Sequence, residues 1–352
     1  VLLLLIAAAS IPASAADDVK RSSEPAWVDP GWRRTLVRYA ITFDAHGMST
    51  TVLDFEVLAL DQKGAEAISQ RVFSYNSYFD ELTAGDLATV KADGRVIAAD
   101  ARAVRDEPDS ADISSLYFDE RRKRIVAFSD VAPGDKVKGR IVYQAKRPEF
   151  PGEFAGYWHQ SLDQPPEVIE LTLDGPASKA LQTVARNVEH REERRGDRIV
   201  HHVRLRQDSP LPRQQAIGTF DSARRFEFST FADYAAFAAM LDSRNAPMAV
   251  PDEALRKLAT EIVGDALTTA RKVELLHNWV ARNIRYVGIG IEDGGFTSQP
   301  AAAVLASRYG DCKAHATLLK ALLAAQGIEA NFVAVNTAPN YTLTQLPTPN
   351  FD

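Results

Sequence analysis

The sequence predicts a two-domain chain, with an N-terminal mainly antiparallel β-sandwich-like domain followed by an α+β domain. Up to about residue 215 the strongest patterns alternate apolar and polar residues with the period of a half-buried strand, and turn signals punctuate them. Beyond Phe231 the apolar residues recur at helical spacing instead. The only cysteine, Cys312, stands in front of a long alanine- and leucine-rich helical run. A length of 352 residues suits two such domains better than one.

Taken in order, the opening VLLLLIAAASIPASA reads as the apolar core of a secretory signal, followed by a small-residue cleavage pattern at Ala13, Ser14 and Ala15. Residues 1–16 are therefore expected to be a signal-peptide remnant. The run falls short of the ~20 apolar residues that span a bilayer, and it gives way to Asp17 and Asp18. With nothing later resembling a span, the mature protein is expected to lack a transmembrane segment and to be periplasmic or secreted in a bacterium; a retained anchor is the competing reading.

The β domain is expected over residues 30–215. TLVRYAITFD places Val37, Tyr39, Ile41 and Phe43 on one strand face, and TVLDFEVLALD repeats the pattern with Leu53, Phe55, Val57 and Ala59. RIVAFSDV, DKVKGRIVYQA, EVIELTLDG and DRIVHHVRLR are further strands, separated by turn signals such as APGD at 132–135 and RRGD at 194–197.

The second domain is expected over residues 235–352. YAAFAAMLDSR can form a helix, and PDEALRKLATEIV offers Leu255, Leu258 and Ile262 with Pro251 near its start. TTARKVELLHNWVARNIRYV carries Val273, Leu276, Val280 and Ile284 along one stripe. Further on, EANFVAVNT has the continuous apolar character of a buried strand.

Composition narrows the function classes. Hydrophobic residues at 45% and charged residues at 25% fit ordinary folded cores, and a net charge of -6 gives no reason to propose nucleic acid as a partner. No HExxH pattern, multiple-cysteine site or calcium loop occurs, so neither metal nor cofactor is expected. The glycines Gly288, Gly290, Gly294 and Gly295 make a permissive loop without phosphate-binding spacing.

A lone cysteine is a buried bystander, an intermolecular linker or a thiol kept for chemistry. Here Gly310 permits a tight approach, Asp311 can cap a helix and Gly327 can end it, which puts Cys312 in the first turn. Unpaired N–H groups and the helix dipole stabilise negative charge there, on the sulfur or on an oxygen formed by its attack. Cys312, Ala316, Leu319 and Leu323 fall close to one face, which is expected to pack on the core with the thiol at its edge. Simple packing of the cysteine is the competing reading.

The run WVARNIRYVGIGIEDGGFTSQPAAAVLASRYGDCKAHATLLKALLAAQGIEANFVAVNT resembles bacterial proteins in which a DUF3857 domain precedes a transglutaminase-like domain. IVAFSDVAPGDKVKGRIVYQ and FAGYWHQSLDQPPEVIELTLDGP are similar to the DUF3857 pattern. The resemblance implies a papain-like core in which a helix supplies the cysteine and a following sheet supplies a histidine and an acid. The nucleophile carries over to Cys312. The later histidine does not occur before Asp352, so the second domain is expected to be incomplete.

The remaining candidates have bland alternatives. Gln299 and Asp311 are candidates for the oxyanion site or cleft, against a loop hydrogen bond and a helix cap. Trp279, Tyr286 and His315 are candidates for a substrate groove, against core packing or a solvent-facing position. His315 diverges from Cys312 by about 60 degrees around the helix, which weakens it as a substitute base. His277, His159, His201 and His202 assemble no metal signature; packing is the favoured reading for His277, and His159 is similarly ambiguous.

The expected function is therefore an exported transglutaminase-like protein that, when the full chain supplies the histidine and acid, works as a thiol-dependent peptide amide hydrolase or acyltransferase through Cys312. The alternative is a non-catalytic peptide-binding or cell-envelope assembly module.

Overall fold

The computed structural model describes residues 29–109, 120–160, 167–208, 223–287, 296–335 and 344–348. The expected signal segment 1–16, the glycine-rich loop at 288–295 and Asp352 lie outside the described residues.

The first domain runs β1 (Trp32–Phe43), β2 (Ser49–Ala59), α1 (Gln62–Ile68), β3 (Gln70–Asn76), β4 (Asp80–Val90), β5 (Val96–Ala98), β6 (Val104–Pro108), β7 (Arg121–Ala127), β8 (Lys136–Ala145), β9 (Ala155–Gln160), β10 (Glu167–Pro176), β11 (Gln182–Arg186), β12 (Glu189–Arg195), β13 (Arg198–Gln207) and β14 (Arg224–Ser229). An eight-stranded sheet in the order β12-β13-β10-β1-β2-β8-β4-β5 makes one layer. Its pairings are antiparallel except β1 with β10, which run parallel.

Two three-stranded sheets, β3-β7-β6 and β11-β14-β9, make the other layer. Both lie on the same face of the large sheet. Val37 pairs with Phe55 and Tyr39 with Leu53, so these side chains share a face. From that face Phe55 meets Phe73 of β3 at 5.5 Å, and Tyr39 meets Trp158 of β9 at 5.5 Å. The expected inward sets of β1 and β2 fall in this core: Val37, Ile41, Phe43, Leu53, Phe55, Val57 and Ala59 are buried, and Tyr39 packs against them.

The strands run past residue 215, because β14 pairs with β9 and β11. Turns fall where the sequence placed them: Gly134 and Gly196 take φ of +88° and +64°, a conformation a side chain resists.

The second domain runs α2 (Tyr234–Asn245), α3 (Glu253–Val263), α4 (Thr269–Asn283), β15 (Arg285–Tyr286), α5 (Ala301–Ser307), β16 (Tyr309–Gly310) and α6 (Cys312–Ala325). Asp233, Asp252, Thr268 and Asp311 cap α2, α3, α4 and α6, each accepting a backbone N–H from the first turn. The α4 stripe is buried as expected, with Val273, Leu276, Val280 and Ile284 packed against Leu255 and Ala259 of α3 and Leu318, Ala321 and Leu322 of α6.

Two local expectations are corrected. The inward face of α6 is Ala314, Thr317, Leu318, Ala321, Leu322 and Leu323; of the expected set, Leu323 is buried and Leu319 packs against the core, while Cys312 and Ala316 are exposed. Apolar residues surround this helix, so periodicity selects no face, and packing against α3, α4 and α5 decides it. The described part of EANFVAVNT, residues 329–335, forms no strand, and Val333 and Val335 are exposed. A strand needs a partner to pair with, and no described strand pairs with this segment.

The two domains meet through a short segment. Residues 344–348 lie on β14 and α2: Ser229 donates to the Pro347 carbonyl at 2.7 Å, and the Tyr234 hydroxyl lies 2.7 Å from the Thr344 carbonyl. Phe150, Phe231 and Phe237 form a small aromatic core beside it.

Candidate functional site

The start of α6 is built by three neighbours in sequence. Gly310 is buried where a Cβ would lie 2.4 Å from the Ala314 Cβ, so only glycine lets the chain turn this closely into the helix. Asp311 accepts the Ala314 N–H at 2.9 Å and an ammonium hydrogen bond from Lys313. Cys312 then occupies the first helical position with its side chain exposed. The tight approach and the cap are those the sequence indicated.

A two-residue parallel pair, Arg285–Tyr286 with Tyr309–Gly310, ties the end of α4 to this helix start. Val287 donates to the Gly310 carbonyl at 3.0 Å and extends the tie. It carries Tyr286, 64% exposed, to the thiol. Partial desolvation of its inner edge raises the Tyr286 phenol above its ordinary value, the charges of Cys312 and Asp311 act in the same direction, and a backbone hydrogen bond from Cys312 opposes them.

His315 stands one turn along. Its Nδ1 faces the Asp311 carbonyl oxygen at 2.8 Å and its Nε2 faces the Ile284 carbonyl oxygen at 3.2 Å. Both ring nitrogens are thus turned to backbone acceptors, and the ring tilts against Tyr286 with centroids 5.9 Å apart. A base must reach the proton it abstracts, and His315 is committed elsewhere.

Trp279 packs against the helical core beneath the Arg308 guanidinium, 5.1 Å from its ring centre. Gln299 follows Ser298, whose N–H donates to the Asn245 side chain at 2.9 Å while Asn245 donates to the Phe296 carbonyl at 2.8 Å. Asn245 therefore fixes the loop that leads to Gln299. His277 is half-buried on α4, and His201 is buried with its Nδ1 3.1 Å from His190 Nε2. Among the described residues no cluster of His, Cys, Asp and Glu could hold a metal ion, and no helix is long and apolar enough to cross a membrane.

Sequence reasoning passed over a second feature. Arg71 and Gln160, on β3 and β9, line a cleft in the first domain. The one signal available was an arginine at the inward register of the alternating QRVFSYN.

Comparison with known proteins places these features in a family frame. The model for a domain of unknown function with solved structures, DUF3857, matches residues 45–212. The transglutaminase-like superfamily core matches residues 256–347. The crystal structure of a candidate protease from Parabacteroides distasonis aligns with a TM-score of 0.71 at 18% identity, over 85% of this chain and 59% of that one. This likeness shows the fold alone, and the chain spans about three fifths of the length of that protein. An M1 zinc metallopeptidase from Deinococcus radiodurans aligns with a TM-score of 0.31 at 15% identity, over 58% of this chain and 44% of that one, too weakly to argue from. No curated protein matches the chain. The β-rich half and the helical half with Cys312 thus have separate assignments: the chain carries a DUF3857 domain followed by a core of the transglutaminase-like superfamily.

Proposed function

We propose that this chain acts as an exported module that binds peptide or protein in the cell envelope, with the start of α6 as one exposed contact surface. The observation that supports this reading over catalysis is the commitment of His315. An exposed thiol with an aromatic neighbour is available for contact, but the histidine nearest it in sequence is turned to two carbonyl oxygens. The candidate protease of similar fold agrees with peptide as the ligand class.

A second reading is favoured by the placement of Cys312 in the first turn, where N–H groups stabilise an oxyanion. In it, the sulfur attacks an amide carbonyl and a base takes the thiol proton. The C–N bond breaks, the amine leaves with that proton and a thioester remains. Water then yields an acid, or a second amine yields a new amide.

The two readings separate by intact-mass measurement after incubation with a peptide amide and a primary amine. No Cys312-dependent acyl adduct or product is expected from this chain, while peptide binding persists in Cys312→Ala. An adduct or turnover that vanishes in Cys312→Ala overturns the binding reading in favour of acyl transfer.

A further inference from the structure

The second layer of the first domain is divided, and the division leaves an opening. β3 is the edge of one small sheet and β9 the edge of the other. Both border a cleft of about 430 Å³ whose floor is the large sheet, with Val37, Tyr39, Leu53 and Phe55 among its lining. Its size and apolar floor are those of a small-ligand site, in which a few convergent polar groups fix orientation.

Four polar side chains decide the chemistry. Arg34 pairs with Glu167 at 2.7 Å, and Glu167 is buried. Gln160 donates from its amide nitrogen to Glu167 at 3.1 Å. A carboxylate accepts only, so the partner fixes which end of the amide is nitrogen. The amide oxygen of Gln160 is left without a hydrogen-bond partner in a residue 2% exposed.

Arg71 is the fourth. Its Nε is buried and unpartnered, and among the described residues its guanidinium forms no ion pair. Desolvation pushes it below its ordinary value, and the nearby Arg34 adds to this. The other titratable groups on the walls are His159, pushed down by burial, and Tyr39 and Tyr143, both pushed up by burial, so all three are neutral at pH 7. Arg34 and Glu167 cancel, which leaves Arg71, among the described residues, as one uncompensated positive charge inside a partly dry cleft.

A guanidinium cannot shed its proton, and leaving this half-buried one with its Nε sealed from water and unpaired is costly. We propose that the cleft between β3 and β9 binds the C-terminal residue of a peptide, with its carboxylate on Arg71 and its N–H on the Gln160 amide oxygen. One negative charge matches the single positive charge, whereas a phosphate dianion would exceed it. The donor and the acceptor stand in one cleft, as the carboxylate and N–H stand together on a terminal residue. The apolar floor favours an aromatic or aliphatic side chain there. The inference rests on no step at Cys312, so each fails or stands separately.

Isothermal titration calorimetry on the whole chain tests it with three acetylated peptides: Ala-Ala-Phe as free acid, the same peptide as C-terminal amide, and Ala-Glu-Phe as C-terminal amide. The free acid is expected to bind at least about tenfold more tightly than either amide, the loss of one charge-assisted contact. Arg71→Met is expected to abolish that preference, and Arg71→Lys to retain part of it. Equal binding of acid and amide by wild type, or no binding of the acid, overturns the proposal without recourse to a variant. Tighter binding of the glutamate peptide reassigns the carboxylate to a side chain and overturns the C-terminal reading.

Discussion

Two arginines of the first domain turn inward, Arg225 fully buried and Arg71 half-buried with its Nε sealed from water, and they are provided for in opposite ways. Arg225 of β14 is 1% exposed and lies 2.7 Å from Glu227, itself fully buried. Glu227 also accepts the backbone N–H groups of Gln345 at 2.8 Å and Leu346 at 3.3 Å, so the pair anchors the segment that joins the second domain to the first. Arg71 of β3 faces a cleft whose one carboxylate among the described residues, Glu167, is paired with Arg34 instead. A buried charge that is paired inside the fold explains itself by structure, while one that is not paired points outward to a ligand.

The largest expected effect comes from making Arg225 resemble Arg71. Glu227→Ala removes the partner and the acceptor of two backbone N–H groups, and is expected to destabilise the chain by about 3–5 kcal/mol. Urea unfolding reads this directly. Replacing both groups by methionine is expected to recover much of the loss, since an apolar pair of similar volume carries no uncompensated charge. If the single variant loses less than about 1 kcal/mol, Arg225 finds other partners and the contrast with Arg71 weakens.

The reverse experiment makes Arg71 resemble its apolar neighbours. In Arg71→Met the long unbranched stem still packs between the sheets, but the charge is gone. Stability without ligand is expected to rise by about 1 kcal/mol, seen as a higher urea midpoint with an unchanged slope. Lower stability would mean that the guanidinium is satisfied within the fold, and the cleft would lose its claim to an anion.

This contrast also marks what the sequence could disclose. The alternation in β1 and β2 and the stripe on α4 are long and regular, so their elements and buried faces were legible. The Gly310–Asp311 step likewise marked the start of α6 before any geometry was known. β9, β11 and β14 were not legible as a sheet, because they are short and β14, RRFEFS, puts its charges inward where pairing can only be seen in three dimensions. The inward face of α6 was misread because alanine and leucine surround it. Arg71 escaped notice for a deeper reason: its importance lies in a missing neighbour, and absence across strands has no trace in a linear pattern.

Carboxyl groups offer a third case that sharpens the comparison, because unlike a guanidinium they can escape burial by keeping a proton. Asp80 and Glu149 line a second cavity of about 410 Å³ beside Tyr143 and Phe150, with Arg147 and Glu153 also on its wall. Desolvation pushes Asp80 up from 3.8 to about 6, opposed by Lys146. Glu149 rises from 4.5 to about 7, through desolvation first and the nearby Asp80 second, opposed by Arg244. Glu149 is itself exposed at the cavity mouth, so solvent screening discounts its effect on stability and Asp80, half-buried, carries the larger share. Both acids hold protons in the folded chain at pH values where the unfolded chain has released them. Their contribution to stability is therefore greatest below about pH 4 and declines as pH rises to about 7. In Asp80→Asn/Glu149→Gln this decline is expected to vanish, so urea midpoints of variant and wild type should diverge steadily across that window. Parallel midpoints would show that neither acid keeps its proton, and burial alone would then not distinguish the carboxyls from Arg71.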